Sequence, residues 1–497
     1  MDLSLVGILI LGVLILESAG LAYGNLVFPV HHKFKGLQKS LSALKAHDIQ
    51  RRGRILSAVD LNLGGNGHPS ETGLYFATIG IGSPSKNYYV QVDTGSDILW
   101  VNCVECTNCP KKSDIGIELT LYDPKSSKTS ELVTCDQDFC TSTYDGNVTP
   151  GCKAQYPCRY KVVYGDGSST AGYFVKDYLK FDRVSGNLQT APTNGSVIFG
   201  CGAKQTGGFG KSSQALDGIL GFGQANSSMI SQLAISGKVK KIFSHCLDNV
   251  NGGGIFSIGE VVQPRVNTTA LVPNQAHYNV IMKAIEVDGD VLELPTDIFE
   301  SGDGKGTIID SGTTLAYFPD LVYEPLMTKI LGQQPGLKLQ TVQDQFTCFQ
   351  YTGNVDDGFS TVKFHFEDSL SLMVYPHDYL FQIREDVWCV GWQKSGMQSK
   401  GGSAMTILGD LVLSNKLVLY DLDNQVIGWT EYNCICTFDP RNWRVNKGSS
   451  NIKVKDEKSG TVYTVGAHNI SSASSVLIGR MLTFFLLLIG ILNNVSY

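Results

Sequence analysis

Val90-Gln91-Val92-Asp93-Thr94-Gly95-Ser96 is an apolar run that ends in Asp, a small hydroxyl residue, Gly and a second hydroxyl residue, and Thr307-Ile308-Ile309-Asp310-Ser311-Gly312-Thr313 repeats it. Each copy is followed at a distance by an apolar pair and Gly: Ile219-Leu220-Gly221 after the first, Ile407-Leu408-Gly409 after the second. One such tetrapeptide means little, because Asp followed by small residues commonly makes an ordinary solvent-facing turn. Two copies in one chain predict two similar lobes that face each other, each offering one Asp.

The chemistry open to such a pair follows from its protons. An amide is a poor electrophile, and water is a poor nucleophile at neutral or acid pH. One ionised carboxylate can take a proton from water while a protonated partner donates to the carbonyl oxygen or the leaving nitrogen. Two carboxylates about 3 Å apart do not both ionise easily, so the pair shares one proton and titrates in two steps. Gly95 and Gly312 let the loops pack tightly enough to bring the two groups together. The hydroxyls of Ser96 and Thr313 can hydrogen-bond the outer carboxylate oxygens, and those of Thr94 and Ser311 can brace one loop against the other.

Working outward, the chain has 497 residues and a formal net charge of −6, with 42% hydrophobic residues. It is too long for one compact core and suits two cores with appendages. Its charge gives no reason to expect a nucleic-acid partner. Short alternating runs such as Leu74 to Ile79, Tyr88 to Val92 and Lys416 to Tyr420 are bounded by Gly, Pro, Asn or Asp and read as strands. Amphipathic helices are few, Leu321 to Leu331 being one, so the fold class is all-β with a few short helices. Asn251-Gly252-Gly253-Gly254 reads as a hairpin turn. Gly210-Lys211-Ser212 lacks the first Gly of a phosphate loop, and the chain has neither a His-Glu-x-x-His helix nor a Gly-x-Ser-x-Gly elbow. No cofactor and no metal is expected.

The ends read as processing signals. Leu3 to Leu16 is apolar and precedes Ser18-Ala19-Gly20-Leu21-Ala22, the form of a signal peptide over 1–24. A basic segment over 25–70 reads as a propeptide, carrying Lys33, Lys35, Lys39, Lys45, Arg51, Arg52 and Arg54 against a lone Asp48. It ends in a flexible joint, Gly64-Gly65-Asn66-Gly67. The body divides into a first lobe over 71–262 and a second over 263–436, and 437–475 reads as a polar linker. The tail 476–497 has the apolar stretch Met481 to Leu492 behind the small residues Ser471 to Ser475, which fits a glycosylphosphatidylinositol attachment signal better than a spanning helix. Thirteen irregularly spaced cysteines, read behind a signal peptide, favour disulfides over the zinc site that Cys103-x-x-Cys106-x-x-Cys109 suggests. Sequons at Asn147, Asn194, Asn226, Asn267 and Asn469 point to the same secretory route.

Over roughly 71–434 the sequence resembles the pepsin-type aspartic protease family. The two Asp turns match its catalytic signatures, Trp100-Val101 matches its Trp-Val element, and Val163-Tyr164-Gly165-Asp166-Gly167-Ser168 matches its flap hairpin. The Cys-rich insert from Cys103 to Cys158 and Phe199-Gly200-Cys201-Gly202 resemble the nepenthesin-like plant branch, without the saposin-like insert of other plant members. The resemblance implies a bilobal pepsin-like fold with the cleft between the lobes, and an acid endopeptidase in which Asp93 and Asp310 activate a water. It implies that Tyr164 of the flap hydrogen-bonds Trp100, with Gly165 beside it, and helps position the peptide. It further implies a monomer that acts on protein or peptide substrates, at the outer face of the plasma membrane through a lipid anchor or free outside the cell. The pairing it implies is Cys103–Cys106, Cys109–Cys201, Cys135–Cys158, Cys140–Cys152, Cys246–Cys434 and Cys348–Cys389. Cys436 is left over, in a stretch from Ile435 to Gly448 that reads as an insertion, and it could compete with Cys434. A binding protein on the same fold, like the related xylanase inhibitors, is the alternative; such proteins typically break a catalytic turn or the flap.

Overall fold

A computed structural model describes residues 26–32, most of 75–434, and the segments 451–455 and 460–466. The signal peptide, most of the basic segment, Gly165, Asn147, Asn469, Cys436 and the apolar tail lie outside the described residues.

Both Asp turns grow from the same local arrangement. Strand Lys86–Asp93 runs parallel to Gly218–Gly221, with Asp93 opposite Gly221, and Gly218–Gly221 lies antiparallel to Trp100–Thr107. In the second half Lys305–Ile309 runs parallel to Ala404–Leu408, which lies antiparallel to Ala316–Phe318. The Ile-Leu-Gly echo thus supplies the neighbour of each Asp strand. Its Gly is required by close approach: a Cβ on Gly221 would lie 2.4 Å from the Asp97 carbonyl carbon, and one on Gly409 would lie 2.2 Å from the Thr313 carbonyl oxygen.

A fourteen-stranded sheet joins the two halves. Toward one end of it, Ile242–Leu247 from the first half pairs antiparallel with Lys416–Asp421 from the second. Val426–Glu431 and Asn267–Ala270 continue it on one side. On the other side come Gly254–Ile258, Leu26–His32 and Tyr75–Ile81. The long hairpin of Ser169–Gly186 with Gln189–Thr206 lies toward the far end. Strand Tyr75–Ile81 is buried at six of its seven positions, so apolar side chains fill both of its faces and little alternation survives in its sequence. Gly254 pairs with Leu247 at the mouth of the expected Asn251 to Gly254 turn. The expected helix runs Asp320–Gly332 and buries Val322, Leu326, Met327 and Ile330, the i, i+4, i+5, i+8 face of its 3.6-residue period.

Three regions depart from the sequence reading or add to it. First, Leu26–His32, at the start of the segment expected to be a propeptide, is a strand inside the large sheet, hydrogen-bonded on both sides. Second, the supposed linker contains a hairpin of Asn451–Lys455 with Val462–Gly466, and its outer partner is Val261–Gln263. Its Ile452, Val454 and Val465 are buried beside Cys246 and Cys434, so alternate apolar residues in a polar-looking stretch give it one dry face.

Third, four of the six disulfides pair differently from the family expectation. Cys103 lies on an extended strand, where a residue three positions along is about 10 Å away on the opposite face, so it does not reach Cys106. The neighbouring strand brings Cys201 to 5.5 Å from Cys103, Cα to Cα, and Cys106 bonds Cys109 across a turn in which Asn108 has φ of 64°. Cys140 is the buried residue of the short helix Asp138–Thr143 and bonds the buried Cys158, which leaves Cys135 to bond Cys152. Cys246–Cys434 and Cys348–Cys389 form as expected.

Candidate active site

Asp93 and Asp310 are both fully buried. Each carboxylate is held by its own turn in the same way. The Gly95 N–H donates to Asp93 Oδ1 at 2.8 Å and the Ser96 hydroxyl to Asp93 Oδ2. The Gly312 N–H donates to Asp310 Oδ1 at 3.0 Å and the Thr313 hydroxyl to Asp310 Oδ2 at 2.8 Å. These contacts follow from the tetrapeptide itself, whose Gly and second hydroxyl residue lie two and three positions beyond the Asp.

The turns are also tied to each other. Thr94 Oγ1 accepts the Ser311 N–H at 3.0 Å and lies 3.3 Å from the Ser311 hydroxyl. Gly95 packs directly against the opposite carboxylate, because a Cβ there would lie 2.9 Å from Asp310 Oδ1. The structure therefore brings together Asp93, Thr94, Gly95, Ser96, Asp310, Ser311, Gly312 and Thr313 as one cluster across the two lobes.

The flap elements meet nearby. The Trp100 indole N–H donates to the Tyr164 hydroxyl, and both side chains are buried. Tyr164 caps the end of Arg159–Val163: its N–H donates to the Ser168 carbonyl at 2.8 Å, and the Gly167 N–H donates back to the Tyr164 carbonyl at 2.9 Å. Phe209, which the sequence did not single out, braces both rings edge-on, at 5.2 Å from Trp100 and 5.1 Å from Tyr164. Its only local signal is an aromatic residue amid Gly207, Gly208 and Gly210.

Two further residues escaped the sequence reading. Tyr278 donates to the Phe222 carbonyl at 2.6 Å, and the Phe222 N–H donates to the Asp93 carbonyl at 2.8 Å, so a second-half tyrosine supports the first turn. Asp97, directly after Ser96, is pushed up to about 6 by burial, while the Ala225 N–H pulls the other way. Its neighbour Ser96 gave a signal, but a lone Asp after the motif does not. Cys103, Cys106 and Cys109, the candidate zinc ligands, are all consumed by disulfides.

The chain is similar to known proteins along most of its length. Residues 75–260 match the family described as Xylanase inhibitor N-terminal, and residues 277–431 match Xylanase inhibitor C-terminal. Aspartic proteinase 36 of Arabidopsis thaliana is 54% identical over 95% of this chain and 94% of its own, and Aspartic proteinase 39 of the same plant is 49% identical over the same shares. Aspartic proteinase nepenthesin-2 of Nepenthes gracilis is 28% identical over 78% of this chain and 84% of its own. Among solved structures, that of edgp superposes with a TM-score of 0.60 at 17% identity, covering 83% of this chain and 96% of the other, which shows a shared fold. With both Asp turns intact and relatives matched over nearly its whole length, the chain belongs to the pepsin-type aspartic protease family and is an aspartic endopeptidase.

Proposed function

We propose that Asp93 and Asp310 form the catalytic dyad, sharing one proton and holding the attacking water between them. The observation that carries this reading is the matched hydrogen bonding of the two buried carboxylates across the Thr94–Ser311 contact. Each carboxylate is pinned at both oxygens, so neither rotates away when the proton moves. The ionised member takes a proton from water, the protonated member donates to the substrate carbonyl oxygen, and the roles reverse as the amine departs. Activity is highest in acid and falls toward neutrality, where loss of the shared proton removes the general acid. Tyr164, held by Trp100 and Phe209, positions the peptide from the flap, with Gly165 next to it.

The test is cleavage of a denatured protein at acid pH by purified enzyme. Asp93→Asn and Asp310→Asn should each abolish turnover while the protein is still secreted with its disulfides formed. Turnover above a trace in either variant overturns the dyad. A pure binding protein, the reading that the xylanase-inhibitor description invites, requires the unmodified chain to show no turnover at all.

A secretory route is supported by the six disulfides among the described residues and by the exposure of the sequon residues Asn194, Asn226 and Asn267. Among the described residues no helix is long and apolar enough to cross a membrane. Attachment through a lipid added upstream of Met481 to Leu492 fits that sequence best, and release of the full-length protein from membranes by phosphatidylinositol-specific phospholipase is the measurement that decides it. The basic segment acts as an inhibitory propeptide whose Lys and Arg side chains pair with the ionised dyad at neutral pH and let go in acid.

A further inference from the structure

Behind the Thr94–Ser311 contact lies a buried group that the dyad reading leaves unused. His245, on Ile242–Leu247, places Nε2 3.1 Å from the Tyr420 hydroxyl, on Lys416–Asp421. The Tyr420 hydroxyl in turn lies next to Thr94 and is acted on by its side chain. The Tyr420 ring is clamped: Phe243 stacks on it at 4.5 Å and 5°, and Tyr278 meets it edge-on at 4.6 Å. His245 Nδ1 is buried with no hydrogen-bond partner among the described residues. Leaving that atom unsatisfied is unfavourable, and an apolar ring at position 245 would avoid it.

We propose that His245 and Tyr420 are positioning residues for the dyad, forming a hydrogen-bond chain that fixes Thr94 and, through it, the placement of the Asp93 turn against the Asp310 turn. The proposal rests on the dyad reading. A bare Nδ1 lone pair is easier to bury than an orphan N–H, so the Nε2–H tautomer is favoured. His245 then donates to Tyr420, whose hydroxyl stays against Thr94. Burial pushes the imidazole down to about 3, so the chain keeps this neutral form through moderate acid. The charged groups that face Tyr420 are Asp310 and Asp410, and Asp97 faces Tyr278. A shift of Tyr420 is therefore felt by the dyad both through Thr94 and through the field at Asp310.

The experiment compares Tyr420→Phe, His245→Leu and His245→Gln in the full-length protein after acid activation, with kcat, KM and the pH profile measured on a peptide substrate. Loss of one positioning hydrogen bond predicts that Tyr420→Phe lowers kcat about tenfold with KM little changed. Its pH limb should move as well, because the two carboxylates no longer hold their shared proton in the same geometry. His245→Leu should move both readouts the same way. His245→Gln, whose amide can replace the lost partner of Tyr420, should recover toward the parent. A purely structural role would lower thermal stability while leaving kcat per folded molecule and the pH profile unchanged, and that result overturns the proposal. If Tyr420→Phe fails to fold, the Leu and Gln pair at position 245 decides alone: equal kcat and pH profiles in the two refute the chain. Failure of the dyad itself is separate, because it would show as turnover in Asp93→Asn.

Discussion

A Cβ built on Gly95 would lie 2.9 Å and 3.0 Å from the two oxygens of Asp310, closer than carbon and oxygen ordinarily pack. Gly95 already donates its N–H to Asp93, so any side chain there has to push Asp310 away or break that bond. Gly95→Ala should therefore separate the carboxylates without emptying either turn. A displacement near 1 Å is enough to lower kcat about 100-fold, and peptide cleavage in acid checks it. Gly336→Ala, whose added methyl meets nothing within 4 Å, serves as the control and should keep parental activity. Parental activity in Gly95→Ala would mean that the close approach of the two turns is not needed. At this scale the sequence was highly legible, because the Asp, Gly and hydroxyl residues that hold each carboxylate are neighbours in one tetrapeptide.

The strand Leu26–His32 is held by ladders to Gly254–Ile258 on one side and Tyr75–Ile81 on the other, with a further pairing to Ser169–Gly186. A cut between Gly64 and Leu74 on acid activation would sever its covalent link to the body and none of these hydrogen bonds. The excised piece should therefore stay attached to the activated enzyme on gel filtration, and should separate only when the sheet is loosened by mild denaturant. Immediate separation of the piece at the activating pH would show that the strand leaves with the segment that follows it. A basic composition marked 25–70 as an appendage, yet strand pairing uses backbone groups and is indifferent to the charge of what comes after. The hairpin Asn451–Lys455 and Val462–Gly466 was missed for the opposite reason: its polar residues alternate with the few that it buries.

Across the whole molecule, buried titratable groups set how stability follows pH. Asp217 is pushed up to about 7 by burial, against the pull of the Tyr89 and Thr120 N–H groups, and Asp97 to about 6. An unfolded Asp releases its proton near 3.8. Their contribution is therefore full below about pH 4 and is lost as pH rises through 6 and 7. His245 acts with the opposite sign, since its folded pKa is lowered to about 3 from 6.5, so its contribution fades as pH falls between those values. The sum favours a moderately acid optimum, in keeping with an acid peptidase. Asp217→Asn removes the larger of the two carboxylate dependences. Its melting temperature should be lower than the parent's in acid, because one of two N–H acceptor sites is lost. It should also change much less between pH 4 and pH 7. A parental slope in thermal melts across that interval would exclude Asp217 as the source.

The sequence alone determined what is local or periodic. The two Asp turns, the Ile-Leu-Gly segments that follow them and the helix over Asp320–Gly332 each announce themselves within a few residues, through turn chemistry or a repeating apolar pattern. Tertiary structure decided whatever depends on which strand lies beside which. Cys103 bonds Cys201 because parallel strands bring them to 5.5 Å, a fact that no spacing along the chain contains. Phe209 meets Trp100 and Tyr164, and His245 meets Tyr420 from 175 residues away, because the folded sheets carry them there. Such partners have no sequence signature of their own, since an aromatic ring or an imidazole is an ordinary core residue until the register of its neighbours gives it something to hold.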